Sequence, residues 1–192
     1  MQDFLGRSHD HPGERIERLD LIAVTGEPVP VPDPARLVHL QLRRFAGCPI
    51  CHLHLRAVAR RHHEITSAGV TEVVVFASTG RDLLPYAGEL PFLLVADPGR
   101  ALYRRFGAEP SLRALLHPAA WPAALRGLRV STPARRKLTS AVLGLPADLL
   151  IAPDRTILAA KMGRHADDQW SVDDLLTLAR QHTPADPRGG TP

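Results

Sequence analysis

The chain has only two cysteines, Cys48 and Cys51, and they stand three residues apart with Pro49 and Ile50 between them. A secreted scaffold stapled by disulfides would carry more cysteines at longer spacings. A lone Cys-x-x-Cys outside such a framework is a redox dithiol or half of a metal site, and its surroundings decide between them. Before it, Leu37 to Leu42 alternates and then meets Phe45, the pattern of a strand. Gly47 breaks the pattern, and Pro49 suits the first position of a helix, where its missing N–H would have no partner in any case. After it, Cys51, Leu55, Val58 and Ile65 recur at helical spacing to about Ser67, and Gly69 stops the run. The dithiol therefore lies at a strand-to-helix junction, with Cys48 at the helix start.

The rest of the chain supplies alternating strands and helices. Residues 1–18 are polar and are expected to form a flexible arm. Leu19 to Pro34 reads as a hairpin whose prolines keep its second strand at an edge. Glu72 to Ala77 and Pro91 to Ala96 are continuous apolar runs of the buried parallel-strand kind. Between and after them, Arg81 to Gly88 and Arg100 to Phe106 are expected to be short helices. Residues 110–145 read as a helical insertion around Trp121, interrupted by Pro118 and Pro122, with a basic loop from Ser131 to Lys137. Ala147 to Ala152 and Thr156 to Ala160 form a strand pair across the turn Pro153-Asp154-Arg155. Ser171 is the expected N-cap of a last helix running to about Gln181, with Asp173 and Asp174 in its first turn. The tail 183–192, rich in proline and glycine, is expected to be disordered.

This order predicts one α/β domain over residues 19–182. Its core is a central mixed β-sheet flanked by helices, with an N-terminal hairpin and a helical insertion. A length of 192 residues fits a single domain. No apolar run approaches the roughly 18 residues of a membrane span, and Met1 to Asp20 has no apolar core of a signal peptide, so a cytoplasmic protein with no membrane partner is expected. The 24 basic residues barely outnumber the 20 acidic ones and are scattered, and aromatics make up only 5%, so nucleic acid is not an expected partner. Phosphate-loop, dinucleotide-binding, zinc-protease and serine-hydrolase motifs are not found, and no cofactor is expected.

The residues around the dithiol suggest its chemistry. Only a thiolate attacks, and unpaired N–H groups at a helix start favour negative charge on Cys48. Arg43 and Arg44, at the end of the preceding strand, would add to this if they turn inward. Cys48 is thus the expected nucleophile with the lowered pKa. Cys51, one turn later beside Leu55 and Val58, is expected to be more buried, to have the higher pKa, and to resolve whatever forms on Cys48.

The stretch from Arg43 to Arg56 around Cys48-Pro49-Ile50-Cys51 resembles the peroxiredoxin-like (AhpC/TSA-type) branch of the thioredoxin-fold superfamily. So do Leu94 to Pro98 with Tyr103 to Gly107, Leu145 to Ile151, and Ala166 to Val172, in the same order. The resemblance covers roughly residues 20–180 and implies a thioredoxin-like fold. It implies a thiol oxidoreductase that reduces hydroperoxides through a Cys48/Cys51 dithiol–disulfide cycle. The expected substrate is a hydroperoxide or a disulfide, the expected reductant is thioredoxin-like or a low-molecular-weight thiol, and a homodimer is compatible. It further implies a cis-proline at Pro146, ahead of the strand beside the dithiol strand. In the family's Pro-x-x-x-Thr-x-x-Cys motif, the positions of Pro and Thr are held here by Gln41 and Phe45. The buried acid that thioredoxin keeps six residues before its first cysteine is Leu42 here.

Other readings compete. A disulfide reductase or isomerase that does not use peroxide is the nearest. Cys48-Pro49-Ile50-Cys51-His52 also matches a c-type haem attachment pattern, with Met162 the mid-chain methionine available as second ligand. A zinc site could draw on Cys48, Cys51, His54 and His62 or His63, although the spacing is tight for one helix. A binding module would use Trp121 as an anchor.

Overall fold

The computed structural model describes residues 12–108 and 145–182. The insertion around Trp121, residues 1–11 of the arm and the tail 183–192 lie outside the described residues.

Among the described residues twelve elements follow in order: β1 (Leu19–Ile22), β2 (Pro28–Val31), β3 (Leu37–Arg43), α1 (Pro49–Arg60), α2 (His62–Ser67), β4 (Val70–Phe76), α3 (Gly80–Ala87), β5 (Leu93–Ala96), α4 (Ala101–Arg105), β6 (Ala147–Ile151), β7 (Ile157–Met162) and α5 (Val172–His182). The five-stranded sheet has the order β5-β4-β3-β6-β7. Strands β3, β4 and β5 run parallel, as strands joined by helical crossovers do, while β6 and β7 run antiparallel to their neighbours. The expected N-terminal hairpin forms from β1 and β2 as a separate antiparallel pair.

The helix expected to run from Pro49 to Ser67 is broken at Arg61, whose backbone N–H closes on the carbonyls of Val58 and Ala59 before α2 begins. Gly69 then turns the chain into β4 with φ +76°, a left-handed conformation that a side chain disfavours. At the other end, Ser171 and Asp174 cap α5 reciprocally. The Asp174 N–H donates to Ser171 Oγ at 3.1 Å, and the Ser171 N–H donates to Asp174 Oδ2 at 2.9 Å.

The sheet separates two cores. One face packs Val38, Leu40, Leu42, Val73, Val75, Leu149 and Ile151 against the hairpin and α4. The other packs Val74, Phe76, Leu94 and Leu150 against α1, α2, α3 and α5, and Cys48 and Cys51 belong to this core. Residues 13–16, expected to be part of a flexible arm, are instead held in place. The Gly13 N–H donates to the Ile157 carbonyl at 2.8 Å, Ile16 N–H to the Arg155 carbonyl at 3.0 Å, and Ile16 is buried. A buried apolar side chain flanked by backbone hydrogen bonds gives this stretch the free energy to order that its polar composition conceals. Among the described residues no helix is long and apolar enough to cross a membrane.

Candidate active site

β3 ends at Arg43, and five residues later Cys48 caps α1. Cys48 has extended backbone angles, Pro49 fills the first helical position, and Cys48 Sγ accepts the Cys51 N–H at 3.4 Å. Satisfying one of the unpaired N–H groups at a helix start is what a cap does, and here the cap is a sulfur. The preceding turn is fixed from two sides. Ser78 Oγ accepts the Ala46 N–H at 3.0 Å, and His52 Nε2 donates to the Ala46 carbonyl while its ring lies 4.6 Å from that of Tyr86. Both cysteines are reduced and buried, Cys48 at 1% exposure and Cys51 at 3%. The expectation that Cys51 would be the more buried of the two is corrected: both lie in the core under α1, Cys48 at least as deeply.

Arg43 and Arg44 are both buried, and both act on the thiols. Burial pushes each thiol up. For Cys51 this is overcome by the hydrogen bond from Cys48, by the Arg44 guanidinium, by a backbone hydrogen bond from Arg44 and by Arg43, which bring it down to about 7. For Cys48, burial and the proton it holds toward Cys51 dominate, and its pKa stands well above the usual thiol value. The directions run opposite to the expected order, Cys48 up and Cys51 down, and the helix start and Arg44 favour one anion shared between the two hydrogen-bonded sulfurs.

Beneath α1 lies a group of buried polar side chains that the sequence reading did not identify as a unit. His39, Gln41 and Arg43 alternate along β3 and so share one face. An alternating strand ordinarily turns its polar face to water, yet this face is covered. Its partners stand on the strands to either side, Glu72 on β4 and Asp148 on β6. His39 Nδ1 lies 2.9 Å from Glu72 Oε2, and its Nε2 lies 3.1 Å from Asp148 Oδ1. Gln41 donates to Glu72 and accepts from Arg43 Nη2 at 2.6 Å. Arg43 Nη2 also donates to Asp148 Oδ1 at 2.5 Å and lies 3.1 Å from His54 Nε2 on α1. The Trp170 N–H closes the group on Asp148 Oδ2 at 3.2 Å.

The charges in this group balance one another. Burial drives His39 down, but Glu72 first and then Asp148 more than reverse this and raise it to about 9. Asp148 is held well below the usual carboxylate range, because Arg43 and His39 outweigh the burial that would raise it. His54 is driven down to about 3 by burial and then by the Arg43 charge, so it stays neutral and accepts from Arg43. His54 therefore belongs to this network, and the described residues contain no cluster of three or more potential ligands placed to hold a metal ion. One Arg43 nitrogen, Nη1, has no hydrogen-bond partner. The signal in the sequence was Glu72 and Asp148 themselves: a charge inside an otherwise apolar strand run must find a partner when buried.

Pro146 does stand where the sequence placed it, just ahead of β6, which pairs Ala147 with Leu42 of β3. The bond before it is trans. Among the described residues the one cis peptide bond is Val31–Pro32, in the hairpin. The Pro146 carbonyl accepts the Gly163 N–H at 2.9 Å, so its backbone pairs within the protein rather than facing a substrate.

The architecture matches solved structures of redox proteins. Peroxidoxin BcpB from Mycobacterium tuberculosis superposes with a TM-score of 0.67 at 16% identity, covering 91% of this chain and 99% of that one. Peroxiredoxin Q from Xanthomonas campestris gives 0.61 at 15% identity over 85% and 90%. A protein from Chlorobium tepidum assigned as the thiol:disulfide interchange protein DsbE gives 0.56 at 17% identity over 88% and 97%. The fold is thioredoxin-like. By sequence alone, no family model and no curated protein matches.

Proposed function

We propose that this protein is a thiol-dependent oxidoreductase of peroxiredoxin-like type that reduces hydroperoxides through Cys48 and Cys51. The observation that carries this reading is the pair of reduced cysteines at the start of α1, one helical turn apart, with Arg43 and Arg44 drawing one thiol down to about 7. Near neutral pH such a pair holds a single proton between two sulfurs. Shifting that proton from Cys48 to Cys51 places the anion on Cys48 Sγ, where the Cys51 N–H and the helix start stabilise it. The Cys48 thiolate then attacks the distal peroxide oxygen. The O–O bond breaks, the departing oxygen takes a proton and leaves as an alcohol or water, and Cys48 becomes a sulfenic acid. Cys51 attacks that sulfur, water leaves, and the Cys48–Cys51 disulfide forms. A thioredoxin-like dithiol or a small thiol returns two electrons and two protons. Both sulfurs come from one helix, so the cycle closes within a single chain, and a homodimer is not required for it. A cytoplasmic setting suits a dithiol that must be returned to the reduced state.

Intact mass after one equivalent of hydrogen peroxide is the test, with Cys48→Ser and Cys51→Ser alongside. The wild type is expected to lose two hydrogens quickly, and Cys51→Ser to hold a sulfenic acid that Cys48→Ser does not form. Thiols that stay reduced in peroxide but exchange with a protein disulfide would replace this reading with that of a disulfide reductase.

A further inference from the structure

Outside the dithiol, the described surface has a groove of about 450 Å³ between α1 and the end of α3, lined by His52, Arg56, Arg60, Tyr86, Glu89 and Leu90 among others. Neither cysteine lines it, but its lining begins at His52, one helical turn from Cys48. Cys48, His52, Arg56 and Arg60 follow one another at four-residue steps, so they form one inclined row along α1, about 6 Å apart along the axis. Long helical side chains lean toward the helix start, which brings Arg56 and Arg60 back toward Cys48. Both arginines are exposed, and neither forms an ion pair among the described residues. Glu89, also exposed and without an ion pair, stands on the opposite wall. The Tyr86 ring, 4.6 Å from that of His52 and tilted 49° to it, also lines the groove.

Two open guanidiniums and one open carboxylate make a complementary charge pattern. We propose that this groove holds the non-reacting part of a small peptidic thiol bearing two carboxylates and one amino group, while its sulfur exchanges with Cys48. Arg56 and Arg60 pair with the carboxylates in the forked geometry that guanidinium favours, and Glu89 meets the ammonium. The volume falls within the range of small-molecule sites. This assignment rests on the dithiol reading above and names the class of its reductant. In the exchange, the thiolate of the small thiol attacks Cys48 Sγ of the Cys48–Cys51 disulfide. The S–S bond breaks, a mixed disulfide forms on Cys48, and Cys51 leaves as a thiolate. A second molecule attacks the sulfur of the bound small thiol and departs with it as a disulfide. The two electrons come from the two small thiols, and the protons that return to Cys48 and Cys51 are those the small thiols gave up.

Glutathione serves as the probe because it carries these groups, with neutral 2-mercaptoethanol and cationic cysteamine as comparators at equal thiolate concentration. The rate at which each reduces the oxidised full chain is read by intact mass. Wild type is expected to prefer glutathione over both comparators, with added salt eroding the preference. In Arg56→Glu/Arg60→Glu the ratio of glutathione to 2-mercaptoethanol rates is expected to fall about tenfold, the scale of a few exposed charge contacts. Arg18→Glu, a single charge reversal just ahead of β1, should leave the ratio where it was. A wild-type ratio that ignores salt, or a ratio unmoved in a double variant with native circular dichroism, would overturn the groove assignment while leaving the dithiol chemistry standing. Failure of every thiol to exchange at Cys48 would overturn both.

Discussion

Arg43 and Arg44 are adjacent in sequence, yet they do different work: Arg43 ends β3 within its buried polar face, whereas Arg44 stands just beyond the strand. Arg43 lies over the buried polar face and puts its charge against Asp148 at 2.5 Å, so only part of its field reaches Cys51. Arg44 lowers both cysteines and is the larger of the two arginine effects on Cys51. Replacing Arg44 with Gln removes that charge while keeping a polar side chain. The lower thiol pKa is then expected to rise from about 7 by roughly one unit, the size of a nearby-charge effect. The dependence of iodoacetamide alkylation rate on pH reads this directly. A profile identical to wild type would mean that the hydrogen bond between the two sulfurs, rather than Arg44, sets the thiolate.

At the scale of elements, the connection from β7 to α5 is pinned to the start of β6 at Gly163. A Cβ there would come within 2.7 Å of both Pro146 Cγ and the Asp168 carbonyl oxygen, and 2.9 Å of the Pro146 carbonyl oxygen. Two of these three contacts are backbone and cannot swing aside. Gly163→Ala is therefore expected to cost about 1–3 kcal/mol, as overpacked sites do, lowering the urea midpoint with little change in slope. An unchanged midpoint would show that this connection yields freely. The elements themselves were largely legible beforehand. Apolar runs marked β4 and β6, alternation marked β3, and the Cys48-Pro49 start and the Ser171 cap marked the two long helices. The break at Arg61 was not legible, because the apolar spacing continues through it to Ile65 on the same buried side. The isomer of Pro146 was not legible either, because tertiary context rather than local sequence locks an X–Pro bond. At the site, the sequence showed both cysteines and both arginines. It did not show which strand neighbours would meet the polar face of β3, since pairing across a sheet is set by topology rather than by local pattern.

Across the whole molecule, the two cores answer differently to pH. The core under the hairpin and α4 is almost wholly apolar, whereas the core under α1 and α5 contains His39, Glu72, Asp148 and Arg43. His39 is held between Glu72 on one side and Asp148 on the other, with the Trp170 ring 5.6 Å away. Its folded pKa of about 9 lies above the ordinary 6.5, so its contribution is complete below pH 6.5 and is lost as pH rises through about 9. At 1.36 kcal/mol per unit of pKa, that contribution is on the order of 3 kcal/mol. Cys51 opposes it over part of the same range, because a thiol lowered to about 7 adds stability as pH climbs above that value. His54 acts on the acid side: its folded pKa of about 3 lies below 6.5, so the stability it gives is present above pH 6.5 and is lost as pH falls toward 3. Asp148, lowered beneath its ordinary 3.8, adds to the loss in stronger acid. Stability should therefore fall below pH 6.5 and stay nearly level from there to about pH 9, where the His39 loss and the Cys51 gain largely offset each other. Removing the thiolate isolates the histidine, so the comparison belongs in Cys51→Ser. In that protein the free energy of unfolding by urea is expected to fall by about 3 kcal/mol between pH 6.5 and pH 9, a window set by the two His39 values. Adding His39→Gln should lower the stability at pH 6.5 and flatten that slope, because the strand partners then face a side chain that does not titrate. A slope that survives in the double variant would place the alkaline sensitivity elsewhere than between Glu72 and Asp148.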